Sequence, residues 1–400
     1  MNEVVIAGYL RTAQSKSKPS DPARDWFHKL RADDLLGRLI PELLERVGIT
    51  SEEIDDFLVG SAMGVSEQWT YGGRTPLFLA NLSEKVPAKF IDQQCGSSMA
   101  AVHIGFMEIA TGFADIVLAG GMEHMTRVPM GPSLFEKNVI SRNPRLYTDN
   151  CYKHWDMEIT MTMGLTAEKL ARETSFSRED MDSWGLRSHQ RTVKARGEGF
   201  FDGEILPLEA EQADGTIMTV DRDQSVRENI SMEDMSKLKP VFLADGVITA
   251  GNSSPLNAGA SSMLLMSRIA AERKGIRPLA TIRSIGFAGV DPTIMGVGPV
   301  PAIQMALKKG NLQVQDIDFW EINEAFSVVV LNCIRELGID PEKVNIKGGG
   351  IAIGHPMGAT GIRLIGTLSR ILEKEKARYG CAAACAGGGQ GIATIIERPF

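Results

Sequence analysis

Two stretches of the chain, Ala114-Asp-Ile-Val-Leu-Ala-Gly-Gly121 and Gly380-Cys-Ala-Ala-Ala-Cys-Ala386, are apolar without alternation and run into glycines. A strand with one face in water alternates apolar and polar side chains, whereas a strand buried on both faces does not. Runs of this length and kind predict a parallel or mixed sheet covered by helices on both sides, an α/β fold. Shorter runs predict strands at 4–8, from 57 and at 281–288. Leu35, Leu36, Leu39, Ile40, Leu43 and Leu44 recur at helical spacing, which predicts a helix over 32–47 that stops at Gly48. Further helices are expected over 76–81, 166–174, 178–196, 261–275, 301–309, 327–337 and 362–375. The polar segment 11–24 reads as loop, and 205–208 and 216–220 as short strands.

The pattern occurs twice. Ile54-Asp-Asp-Phe-Leu-Val in the first half is echoed by Ile317-Asp-Phe-Trp-Glu in the second. Each precedes a turn with reactive side chains, a helix, and a strand ending in glycines. This order suggests two copies of one α/β unit facing each other. At 400 residues the chain is too long for one compact core. The expected division is 1–121 with 250–276 as the first half, 122–249 as an inserted loop domain, and 277–400 as the second half. In the insertion methionine, charge and aromatics rise and the strand–helix rhythm breaks, which suits ligand contacts.

A formal net charge of −7 without a basic run argues against nucleic-acid binding. An anionic substrate would need a local basic patch. The five cysteines are odd in number and include no C-x-x-C pair, so neither a disulfide framework nor a metal site is expected, and a reducing, cytoplasmic setting is. The opening Met1-Asn-Glu-Val-Val-Ile does not read as a signal peptide, and no stretch is apolar enough to span a bilayer.

Four motifs carry candidate chemistry. In Ile91-Asp-Gln-Gln-Cys95-Gly-Ser-Ser-Met-Ala-Ala101 a cysteine stands where a strand meets a helix. Unpaired amides and the positive end of the helix dipole would favour its thiolate, making a nucleophile; a buried structural cysteine is the other reading. Asn323-Glu-Ala-Phe326 lies at a second strand-to-helix junction, where Asn323 could orient a water and Glu324 could cap or ion-pair. His355 stands within the glycine-dense segment 348–361, and His-Pro favours extended backbone there. Cys385-Ala-Gly-Gly-Gly-Gln-Gly391 offers a second thiol beside backbone N–H donors, or a buried cysteine in a tight turn.

Taken together, these motifs, with Gly120-Gly-Met-Glu-His-Met and Met163-Gly-Leu-Thr-Ala-Glu168, closely resemble the thiolases over essentially the whole chain. The resemblance implies two similar α/β halves with a five-layer α-β-α-β-α core plus an inserted loop domain. It implies thiolytic cleavage of a 3-ketoacyl-CoA by CoA, or the reverse Claisen condensation. Coenzyme A would be substrate and product, with no tightly bound cofactor, and a homodimer or homotetramer would form.

The resemblance also assigns roles. Cys95 would carry the acyl group. His355 would take the Cys95 proton and polarise the thioester oxygen. Cys385 would act as general acid and base, and Asn323 would hold a water completing an oxyanion hole. The backbone N–H groups of Cys95 and Gly387 would form a second hole. Arg227 would lie near the CoA phosphates and adenine, and Ser254 near the pantetheine. Met163, Met295 and Phe326 would line the acyl end.

Three departures are visible. Thr162 replaces the histidine usual in acetoacetyl-specific members, which leans toward a longer 3-ketoacyl chain. Asn257-Ala-Gly stands where Asp-Gly usually follows Asn or Ser. Lys347 stands where Asn is common, close in sequence to His355. An acetoacetyl-specific acetyltransferase is the alternative. A condensing enzyme that uses two histidines fits Cys385 poorly, and a silent acyl-CoA-binding scaffold fits an intact Cys95, His355 and Cys385 poorly.

Overall fold

The computed structural model describes residues 2–128 and 141–399; residues 129–140 of the expected insertion lie outside them. The strands of the first half stand in the order Val4–Thr12, Asn257–Ser267, Ile116–His124, Asp56–Gly60, with Ala88–Ile91 at the edge. The first two junctions are antiparallel and the rest parallel. The second half repeats this arrangement with Ala280–Gly289, Gln390–Glu397, Tyr379–Ala386 and Phe319–Ile322: antiparallel, antiparallel, parallel. With the edge strand Ala88–Ile91 left aside, the spatial order in both halves is first strand, last strand, third, second. The sheets meet where Val5 pairs Thr281 and Ile6 pairs Ala280.

Alternating side chains of the central strands divide the core into layers. Leu264 and Leu118 face outward onto Leu35, Leu36 and Leu39 of the helix Ala32–Val47. Leu265 and Val117 face inward. There they meet Met99 and Val102 of the helix Ser97–Thr111, and Ile362, Ile365 and Leu368 of the helix Met357–Glu375. Ala382 and Ala384 close the same cluster from the second sheet. Cys381 and Ala383 point the other way, onto Ile303 and Ala306 of Pro299–Gly310 and Val330 of Ser327–Leu337. Helix, sheet, helix pair, sheet and helix make the five layers. Each fully buried Leu or Ile contributes about 1.5–3 kcal/mol.

The structure corrects several local expectations. Residues 261–275 are not one helix: Asn257–Ser267 is a strand, and only Arg268–Arg273 is helical, capped by the Ser267 hydroxyl. A short apolar run buried on both faces has no periodicity to separate strand from helix. The first strand continues past Gly8, which follows a register shift, to Thr12. The expected loop begins within that strand, and Ser15–Lys16 pairs with Asn257–Ala258. Arg11 is fully buried between Glu204, 2.6 Å away, and Asp223, 2.7 Å away. The glycines after Cys385 turn the chain into a further strand, Gln390–Glu397. Ile205–Leu206 joins the main sheet beside Arg11–Thr12, while Leu208–Glu211 and Ile217–Val220 form a separate hairpin.

Candidate active site

Cys95 lies in a single 3-10 turn, Gln94–Gly96, between the edge strand and the helix Ser97–Thr111. Gln94 adopts φ 51°, a left-handed conformation rare for a side-chain-bearing residue and typical of a turn that aims its neighbour. The helix start packs directly on the first half's strand ends. A Cβ on Gly60 would lie 2.6 Å from the Ser97 and Ser98 backbone.

The thiolate expected at Cys95 is not the resting state. The side chain is buried, and burial pushes the thiol up to about 12, with Glu123 adding to the rise. The backbone N–H groups of Gly387 and of Cys95 itself face the sulfur and pull the other way. Burial outweighs them, since a buried anion loses the whole of its hydration. Cys385 is fully buried and its thiol is likewise raised well above the usual range, first by burial and then by the nearby Cys95 sulfur. The site therefore holds two protonated thiols side by side.

His355 arrives from the second half on the turn that precedes Met357–Glu375. Its backbone N–H donates to Asn257 Oδ1 at 2.8 Å, so the Asn257 side chain, next to the departing Ala258, fixes the histidine backbone. Its Nδ1 lies 2.7 Å from Thr360 Oγ1, and its Nε2 lies 3.2 Å from Asn323 Nδ2. Burial, and after it the Arg363 guanidinium, hold the imidazole down at about 3, so it is neutral. Asn323 Oδ1 is buried and has no partner among the described residues. Glu324 neither caps nor ion-pairs. It accepts from Trp184 Nε1, the Ser188 hydroxyl, Asn345 Nδ2 and the Ile351 N–H, which ties the Asn323 turn to the glycine segment.

Met163, Met295 and Phe326 pack in one apolar cluster with Cys385. Met163 Sδ also reaches the space beside Gly387. The Ser254 N–H donates to the Ala325 carbonyl at 3.0 Å, on the chain bearing Phe326. The Arg227 N–H donates to His189 Nδ1 at 3.2 Å. Its charge, with those of Arg24 and Lys18, adds to the burial that lowers the Lys16 ammonium. This is the basic patch that an anionic ligand of an acidic protein requires. Lys347 turns away from His355, onto Glu375 at 3.3 Å and the Phe200 ring.

Sequence reasoning missed Thr360, Asn257, Lys16 and Phe242. Phe242 packs edge-on to Phe326 with ring centroids 6.3 Å apart, and its ring fills the space a Cβ on Gly164 would take. A histidine followed five residues later by a threonine, at the head of a predicted helix, was a readable signal for Thr360. Nothing local marked Phe242.

Two thiols, a neutral imidazole and amides aimed at one sulfur are the apparatus of acyl transfer through a thioester. Residues 4–269 match the thiolase N-terminal domain and residues 276–398 the thiolase C-terminal domain. The chain is 42% identical over 404 residues to the 3-ketoacyl-CoA thiolase of Vibrio vulnificus strain CMCP6, covering 100% of both. The human mitochondrial 3-ketoacyl-CoA thiolase in complex with CoA superposes with a TM-score of 0.86 at 32% identity, over 100% of this chain and 98% of that one. The Bacillus anthracis acetyl-CoA acetyltransferase superposes with a TM-score of 0.87 at 33% identity, over 100% and 99%. The paired halves, the opposed cysteines and these matches along its whole length agree that the chain belongs to the thiolase family.

Proposed function

We propose that this chain is an acyltransferase that cleaves 3-ketoacyl-CoA with CoA through an acyl-enzyme on Cys95. The observation that carries the reading is the pair of buried cysteines, Cys95 facing two amide donors and Cys385 beside it in an apolar wall. Thiolysis needs two proton-handling sulfurs because acylation and carbanion protonation are separate tasks. Cys95 loses its proton to His355 Nε2 as its sulfur attacks the 3-keto carbon. The bond between C2 and C3 then breaks, and the Cys385 thiol protonates C2 to release acetyl-CoA. The Cys385 thiolate next takes the proton of an incoming CoA, whose sulfur attacks the Cys95 thioester. Acyl-CoA leaves, and the cysteine regains a proton from His355.

In this reading the amides of Cys95 and Gly387 stabilise one oxyanion, and Asn323 with His355 the other. Arg227 with Lys16 meets the CoA phosphates, and Ser254 borders the pantetheine. Met163, Met295, Phe326 and Phe242 bound the acyl group. Thr162 in place of histidine favours chains longer than acetoacetyl. The likeness to an acetyl-CoA acetyltransferase keeps acetoacetyl-CoA as the second substrate to test. CoA-dependent cleavage of both substrates decides it, with Cys95→Ala as control. Higher kcat/KM on the longer chain, abolished in the variant, is expected; preference for acetoacetyl-CoA would overturn the chain-length reading.

A homo-oligomer, dimer or tetramer, is part of the same proposal. Among the described residues the strand Ala88–Ile91 pairs on one side only, and Trp69, Tyr71 and Phe78 nearby in sequence are exposed. Light scattering behind size exclusion tests it. Among the described residues no helix is long and apolar enough to cross a membrane. A cytoplasmic setting is proposed from the free cysteines.

A further inference from the structure

Glu123 lies near the end of the strand Ile116–His124 and is 1% exposed. Its Oε2 accepts from the N–H of Ala62 at 2.9 Å and of Gly358 at 3.0 Å. Its Oε1 accepts from Gln68 Nε2 at 2.5 Å and from the Ser61 hydroxyl at 3.3 Å. Gly358 is the second residue of Met357–Glu375, the helix that follows His355-Pro356 and has no side-chain cap of its own. First-turn amides lack partners within their helix and carry the positive end of its dipole. A carboxylate from the first half of the fold therefore supplies the cap that the second half lacks. The contact is tight: a Cβ on Gly358 would lie 2.3 Å from the Met122 carbonyl oxygen and 2.6 Å from Ser61 Cα. The first half also carries Cys95, which shares one apolar cluster with Ala62, Met63, Met125 and, from the helix start of the second half, Met357.

We propose that Glu123 is a positioning residue for acyl transfer: it seats the helix start of the second half on the first, and so fixes His355 against Cys95. The proposal rests on the reading of Cys95 as nucleophile and His355 as its base. Glu123 acts through the Gly358 amide rather than on the substrate. Glutamine has the same shape but replaces one acceptor oxygen by a donor. All four partners of Glu123 donate, and the two backbone amides have no alternative. Gln68 is locked as well, because its Oε1 accepts from the His124 N–H and its Nε2 also donates to the Met63 carbonyl. An amide at position 123 therefore sets donor against donor in either orientation and leaves a buried donor unpaired.

The test uses the full-length enzyme and single-turnover acylation of Cys95 by a 3-ketoacyl-CoA, normalised to active sites titrated by the burst. Glu123→Gln is expected to lower the per-site acylation rate at least tenfold while KM for CoA stays within threefold of wild type. Ser61→Ala removes one donor and keeps the charge, and a two- to fivefold loss is expected; it decides the matter if Glu123→Gln does not fold. A role in folding alone would lower the number of titrated sites and the melting temperature but not the rate per site. Wild-type per-site rates in the folded variants would overturn the proposal, whatever their melting temperatures. Absence of a Cys95 acyl-enzyme in the wild type, judged against Cys95→Ala, would overturn the underlying reading instead, so the two failures are distinct.

Discussion

Thr360 Oγ1 lies 2.7 Å from His355 Nδ1 and, at 2.9 Å, donates its only proton to the Pro356 carbonyl. The hydroxyl can therefore only accept from the imidazole. This assigns the proton of the neutral His355 to Nδ1 and leaves Nε2 bare, next to Asn323 Nδ2. A bare Nε2 is what a base for the Cys95 thiol needs. Thr360→Val keeps the shape and removes the acceptor, leaving a buried Nδ1–H unpaired. A loss of about 1–3 kcal/mol corresponds to roughly a 5- to 150-fold fall in kcat. Steady-state kinetics should show this with KM for CoA little changed, and Thr360→Ser should restore most of the rate.

The buried imidazoles predict an acid limb in stability. Burial holds His103 and His355 down at about 3 and His189 at about 4. A base whose pKa is lowered on folding stabilises the fold above its unfolded pKa, near 6.5, and that contribution is lost as pH falls toward the folded value. Each histidine that is neutral when folded and charged when unfolded adds about 1.4 kcal/mol per pH unit to the slope. Denaturant titrations between pH 6 and 4.5 should show stability falling steeply. His103→Gln should flatten the slope by about one proton. A slope unchanged by that variant would contradict the burial argument.

Lys16 and Arg227 belong to the basic patch; Lys16 stands opposite Asn257, whose side chain holds the His355 backbone but not its ring. Their replacement by alanine should raise KM for CoA about tenfold, consistent with one charge-assisted contact of about 1.5–3 kcal/mol. The rate of Cys95 acylation at saturating substrate should stay within twofold. Raising the salt concentration should shrink the difference between wild type and variants. Equal KM values would place the phosphates elsewhere.

Phe242 closes the apolar wall over Phe326 and Gly164. Phe242→Ala should widen the acyl end. A lost aromatic contact of about 1–3 kcal/mol predicts roughly a 5- to 150-fold fall in kcat/KM for acetoacetyl-CoA, with a smaller fall for longer chains that fill the new space. Parallel kinetics across a chain-length series would check this; a uniform loss across the series would remove Phe242 from the specificity wall.

Much of this protein was legible in one dimension. The apolar runs at 116–121 and 380–386 announced strands covered on both faces, and the echo between 54 and 317 announced the repeated half. Residue types that only chemistry explains, Cys95, Asn323, His355 and Cys385, stood out because each sits in or next to a turn or glycine-rich segment. What the order of residues left open was everything set by approach from far along the chain. Residues 257–267 became a strand because both faces found cover, from Leu36 on one side and Met99 on the other, and no local period encodes that. The ionisation of Cys95 was likewise decided by the fold. Its local sequence promised a thiolate at a helix start, but burial among side chains of both halves removed the water an anion needs. The caps on the His355 helix, the Thr360 contact that sets its proton and the patch joining Lys16 to Arg227 are all long-range or side-chain-geometric facts. Sequence supplied the groups and their order; tertiary structure supplied the distances, the dielectric and the direction of each hydrogen bond.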